Sequence, residues 1–189
     1  FQVRDNGGTA SGGVNTDASA NTITINVTPV NDAPTGTNNA ITTLEDTTYS
    51  FTAADFGFGD ASDSPANSLL SVIMTTVPAV GVLELVAGAS VTGPVIAGQA
   101  VLAADLAFLR YTGAAGASGA SYASFTFQVR DGGGVANGGQ DTDQTPNTMT
   151  INITGVNDAP AGTDNTITIL EDAIYSFTAA SFGFSDVND

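Results

Sequence analysis

The run "YASFTFQVRD", residues 122–131, sets Phe125, Phe127 and Val129 on one face. A period of two is the pattern of a half-buried β-strand and not of a helix. The second half of this run, "FQVRD", also stands at residues 1–5. Sliding the sequence along itself by 126 positions aligns residues 1–63 with 127–189 without a gap, and 42 of those 63 positions are identical. Self-similarity at a fixed spacing marks a tandem array of structural units.

The same period recurs through the unit. "TMTINIT" (148–154) alternates Met149, Ile151 and Ile153 with threonine and asparagine, and its copy "TITINVT" (22–28) does so with Ile23, Ile25 and Val27. "YSFTA" alternates Tyr49, Phe51 and Ala53, and "LLSVIMTTV", "GVLELV" and "FLRYTG" are three further candidates. About seven short strands between Gly, Pro and Asn turns predict an all-β chain, an antiparallel β-sandwich repeated every 126 residues or so. One helical turn is expected, around residues 102–106.

Unit boundaries follow from turn chemistry. "VNDAP", at residues 30–34 and again at 156–160, follows a strand-like run, and its Asn, Asp and Pro stop a strand and stiffen the backbone. The expected organisation is the end of one unit over 1–30, a complete unit over 31–157, and the beginning of another over 158–189. A chain of one and a half periods that opens on Phe1 reads as a piece of a longer array, and neither half-unit is expected to bury both faces of a core alone.

Composition excludes most chemistry. Nineteen acids stand against three basic residues, all arginine, with no His and no Cys, for a net charge of −16. Such a surface repels nucleic acid and anionic membranes. Without Cys, His or Lys there is no thiolate, no Ser-His-Asp relay, no usual zinc site, no Walker loop and no Schiff base. No pair of carboxylates stands out as a glycosidase pair, so the expectation is a non-enzyme. No run of 18 apolar residues occurs, so no membrane insertion is expected in this segment. "NVT" and "NIT" match the glycosylation sequon at Asn26 and Asn152, but both lie in expected strands.

What remains is oxygen chemistry suited to calcium, which takes six to eight oxygen ligands and must gather several segments of chain. The acids sit at expected strand ends and turns: Glu45 and Asp46 in "LED", Asp60 and Asp63 in "DASD", Asp131 after its strand, Asp141 and Asp143 in "DTD", and Asp158 in the linker. Strand ends of a sandwich collect at two poles, so these acids are candidate ligands for Ca2+. "DTDQTPN" fails the EF-hand pattern, and "GGVNTD" departs from the nonapeptide β-roll signature at Asn15.

Taken in order, "VNDAP", "TLEDTTYSF", "TTVPAVGVLEL", "ADLAFLRYTG" and "ASFTFQVRDGGG" resemble the cadherin-like tandem repeats of large bacterial surface adhesins and biofilm-associated proteins. The resemblance implies extracellular modules strung end to end on the bacterial cell surface, often with calcium at or near their junctions. It implies linker ligands at Asn31, Asp32, Asn157 and Asp158, and an acidic position near each unit start at Glu45, Asp46, Glu171 and Asp172. The first aspartate of the cadherin linker is absent, with Pro29 and Gly155 near its place, which argues against a full three-calcium junction. The functional expectation is a structural segment of an adhesin or fibre, its partners being neighbouring repeats or other copies. The alternative is a module whose long acidic loops recognise a glycan or surface protein.

Overall fold

The computed structural model describes residues 1–186. The chain divides into two compact units, Phe1–Val30 and Asn31–Asp189. Among the described residues, nine strands lie in the second: β1 Asn39–Leu44, β2 Thr48–Ser50, β3 Leu69–Met74, β4 Val82–Leu85, β5 Gly93–Pro94, β6 Ala100–Leu102, β7 Leu109–Thr112, β8 Gly119–Asp131 and β9 Asn147–Thr154. They form a five-stranded sheet in the order β1-β9-β8-β3-β6 and a four-stranded sheet in the order β2-β7-β4-β5. The chain is all-β, with 3-10 turns as its helical elements among the described residues.

Pairing is antiparallel except between β1 and β9, which run parallel with Ile41 opposite Ile151. The expected helical turn is a 3-10 segment, Ala103–Phe108, whose Leu106 enters the core. The expected number of strands falls short because β5 and β6 are two and three residues long. Pieces that short carry no readable period, and their partners decide them.

A single apolar cluster joins the sheets. Phe125, Phe127 and Val129 of β8 meet Met149, Ile151 and Ile153 of β9, Leu109 and Tyr111 of β7, and Phe51 and Phe56 from the loop after β2. Phe51 meets Phe125 edge-on at 5.8 Å between centroids, and Phe56 meets Phe127 at 4.9 Å. Burial of each such side chain stabilises the fold by about 1.5–3 kcal/mol, and the edge-to-face geometry adds about 0.5–1.5 kcal/mol.

Residues 22–28 correct the expectation drawn from their period. They form no strand, and Ile23, Ile25 and Val27 are 71%, 81% and 87% exposed. The unit Phe1–Val30 is instead organised by the bridge Arg4↔Thr16 and a 3-10 turn at Ala10–Gly12. No helix among the described residues is long and apolar enough to cross a membrane.

Candidate functional site

The register of β8 on β9 sets two groups of acids at opposite ends of the five-stranded sheet. Asp131 closes β8 near the start of β9, while Glu45 follows β1 beside the end of β9.

At the Asp131 end, two loops and the linker converge. Asp131 is fully buried and accepts a bond from the Gly133 amide at 2.7 Å. The side-chain amide of Asn31 donates to both carboxylate oxygens, at 3.2 and 3.4 Å, and to the Gln140 carbonyl at 2.5 Å. Gln140 returns a backbone bond to the Asn31 carbonyl. Asn67 donates its side-chain amide to Asn31 Oδ1 at 2.6 Å and to Asp63 Oδ2 at 3.2 Å, and its backbone amide to Asp60 Oδ2 at 2.5 Å. Asp63 also takes the Asp32 amide at 3.1 Å. The linker is thereby tied to the loop between β2 and β3 and to the loop after β8.

Two features of this cluster are unusual. Asp60 is 8% exposed, and its Oδ1 has no hydrogen-bond partner. An unpaired buried carboxylate oxygen costs about 1–3 kcal/mol or more, so it marks a place where a ligand is worth seeking. Asp131 is raised above its ordinary value, chiefly by burial, with the charges of Asp60 and Asp141 adding to the shift and the bonds from Gly133 and Asn31 opposing it. Gly133 permits the close approach, since a Cβ there would lie 1.6 Å from Asn31 Oδ1.

Asp141 and Asp143 are placed differently. Asp141 Oδ2 is held by Arg130 through Nε at 2.9 Å and Nη2 at 2.6 Å, while Oδ1 takes the Thr142 hydroxyl. Burial pushes Asp141 up, but the bonds from Arg130 and Thr142 and the Arg130 charge outweigh it, and the carboxyl lies below its ordinary value. Asp143 accepts from the amides of Gly36 and Thr145 and from the Asn147 side chain. Both carboxylates are occupied by protein donors, Asp141 in an ion pair with Arg130 through Oδ2 and Asp143 as a brace between Gly36 and the start of β9.

At the opposite end, Glu45 is 6% exposed. Its Oε1 accepts from the Val156 amide, its own amide donates to Thr154, and its Oε2 is buried without a partner. This contact joins "LED" to "VNDAP", across 111 residues. Asp46 adopts a left-handed φ of 54° and takes the Gly116 amide at 3.1 Å. Asn157 is exposed and bonded to the Asp158 carbonyl, and Asp158 is half-buried. Glu171 and Asp172, the copies of Glu45 and Asp46, are exposed.

The structure thus gathers Asp60, Asp63 and Asp131 near one another and sets Glu45 and Asp46 apart from them. Among the described residues, no three acidic side chains stand close enough together to hold a metal ion by themselves. Any cation at the Asp131 end would need amide or carbonyl oxygens as well, and Asn31 Oδ1, Asn67 and the Gln140 carbonyl are at hand. Asn67 carried no sequence signal beyond its place in a long polar loop. The sequon residue Asn152 has both amide atoms engaged in the sheet, donating to Ile41 and accepting from Ser121.

Comparison with protein families, with curated proteins and with solved structures finds no match to this chain.

Proposed function

We propose that this chain is a segment of a tandem array of Ig- or cadherin-like β-sandwich units in an extracellular structural protein, of the kind found in bacterial surface adhesins and biofilm matrices. Its work is mechanical: each unit adds length, and the linker between units sets stiffness. Ca2+ at the unit ends is the cofactor of this reading. At the Asp131 end the ligands are Asp60, Asp63 and Asp131, supplemented by Asn31 and Asn67. At the Glu45 end they are Glu45 and Asp46, with Asn157 and Asp158 of the following linker. Neighbouring repeats, or other copies in a fibre, are the partners.

The observation that carries the reading is the unpaired, buried Asp60 Oδ1 in a cluster that also pins the linker residues Asn31 and Asp32. A divalent cation there would neutralise like charges and tie the linker to two loops. The donor set fits a hard cation, being oxygen throughout. The test is thermal unfolding of the whole chain in chelator and in calcium. Saturation at 100 times the dissociation constant stabilises by about 2.7 kcal/mol, which raises Tm by several degrees. Asp60→Asn should abolish most of the rise. Superimposable curves with millimolar calcium and with chelator would remove the metal from the proposal.

A further inference from the structure

β1 is the outermost strand of its sheet, and β9 is its one strand partner. Of its six residues only Ile41 is fully buried. The parallel register runs from Asn39 opposite Met149 to Leu44 opposite Thr154. An outermost strand with one buried anchor and one hydrogen-bonded edge can detach without parting any other strand pair.

The chain contains a second version of that strand. Residues 165–170, "NTITIL", repeat "NAITTL" of β1 at four of six positions. Their two changes, Thr166 for Ala40 and Ile169 for Thr43, both favour a strand. These residues form no strand in the structure, although Ile167, the copy of Ile41, is half-buried. Ten residues, 155–164, separate them from the end of β9. Ten extended residues reach about 33–36 Å. To lie on β9 in the register of β1, the chain must return from the level of Thr154 to that of Met149, about 17 Å, and step sideways by about 4.8 Å. The connection is long enough.

We propose that the edge of β9 that β1 covers is a shared docking site for two strands, β1 of its own unit and residues 165–170 of the following copy, the second taking the place of the first when β1 is detached. Ile167 then fills the position of Ile41, and the edge of β9 over Ile151 and Ile153 stays covered. In an array under tension, loss of a first strand is repaired by the next unit and does not open the core. This inference rests on the repeat and on the parallel register, and it stands whether or not calcium binds.

The test uses the full chain with three variants, Ile41→Asp, Ile167→Asp and both together, followed by thermal unfolding. Ile167→Asp alone leaves Tm unchanged. Ile41→Asp lowers it by a few degrees, and the double variant lowers it by roughly 5 °C or more beyond that, because the substitute is lost as well. The chain has no cysteine, so a pair at Thr150 and Thr166 reports the exchange directly. Thr150 lies opposite Ala40 in the native register, and Thr166 is the copy of Ala40. A disulfide between them forms in the Ile41→Asp background and fails to form once Ile167→Asp is added. Identical melting of the single Ile41 variant and the double variant, an Ile41→Asp chain that does not fold, or absence of the disulfide in that chain would each overturn the proposal.

Discussion

Tyr49, Phe51 and Phe56 have exact copies in Tyr175, Phe177 and Phe182, and the two trios arrange their rings almost identically. The Tyr–Phe pairs stand edge-on at 5.0 and 5.2 Å, and the Phe–Phe pairs at 5.9 and 5.8 Å. Their surroundings are opposite. Phe51 and Phe56 are 1% and 0% exposed, while Phe177 and Phe182 are 66% and 61% exposed. The local frame is equally conserved: the bridge Thr35↔Gly59 recurs as Ala161↔Ser185, the left-handed Asp46 as Asp172, and the 3-10 turn Ala53–Phe56 as Ala179–Phe182. β1 and β2 do not recur as strands.

Short-range hydrogen bonds and left-handed turns form from nearby residues alone, so they appear in both copies. A strand needs a partner edge, and a phenyl ring needs other apolar surface to cover it. Residues 148–154 and 22–28 teach the same lesson. Met149 and Ile151 are fully buried between β8 and the opposite sheet, while Ile23 and Ile25 have almost the same neighbours in sequence and face solvent.

The largest contrast should appear in hydrogen exchange. Amides of Ile151 and Ile153 should exchange on the order of 10³-fold or more slowly than those of Ile25 and Val27, because only the former open with the whole fold. Comparable rates at the two sites would mean that residues 22–28 find a strand partner in solution. Next comes side-chain truncation. Phe51→Ala should cost about 3–5 kcal/mol in chemical unfolding, and Phe177→Ala should stay within about 0.5 kcal/mol.

A smaller effect is expected at the ion pair. Arg130 and Asp141 pair, whereas Arg4 faces the neutral side-chain amide of Asn15, the copy of Asp141. Because the Asp141 carboxyl lies below its ordinary value of 3.8, its contribution is complete above that value and is lost as the pH falls through the lowered one. Asp141→Asn should therefore cost about 1 kcal/mol at neutral pH and flatten the acid limb of the stability curve. An unchanged acid limb would assign acid sensitivity to other carboxylates. Smallest of all is the cap. Asp55 Oδ2 accepts from the Thr52 amide at 2.7 Å and from its hydroxyl at 3.0 Å, and Ser181 Oγ accepts from the Thr178 amide at 3.1 Å. Thr52→Ala should lower stability by about 1 kcal/mol, and Thr178→Ala should leave the unfolding midpoint in place.

The placement of the candidate acids was legible: Glu45, Asp60 and Asp131 stand at turns and strand ends, and it is the fold, not the residue pattern, that buries them. What the sequence did not show is that Asp141 and Asp143 of "DTD" are engaged by Arg130, Gly36 and Asn147. Two of those donors, Arg130 and Gly36, come from segments 11 and 107 residues away. Asn67 was missed for the same reason, since an amide in a polar loop becomes informative only when Asn31, Asp60 and Asp63 are seen around it.

The amino-acid order by itself determined the all-β character, the 126-residue repeat, the turns and the 3-10 caps, because each rests on interactions within a few residues or on a period of two. Tertiary structure alone decided which alternating runs become strands, that β1 joins β9 in parallel, and which acids keep a free buried oxygen. Those outcomes depend on a partner edge, a covering sheet or a donor supplied by distant chain, and identical residues without them remain turns and exposed side chains.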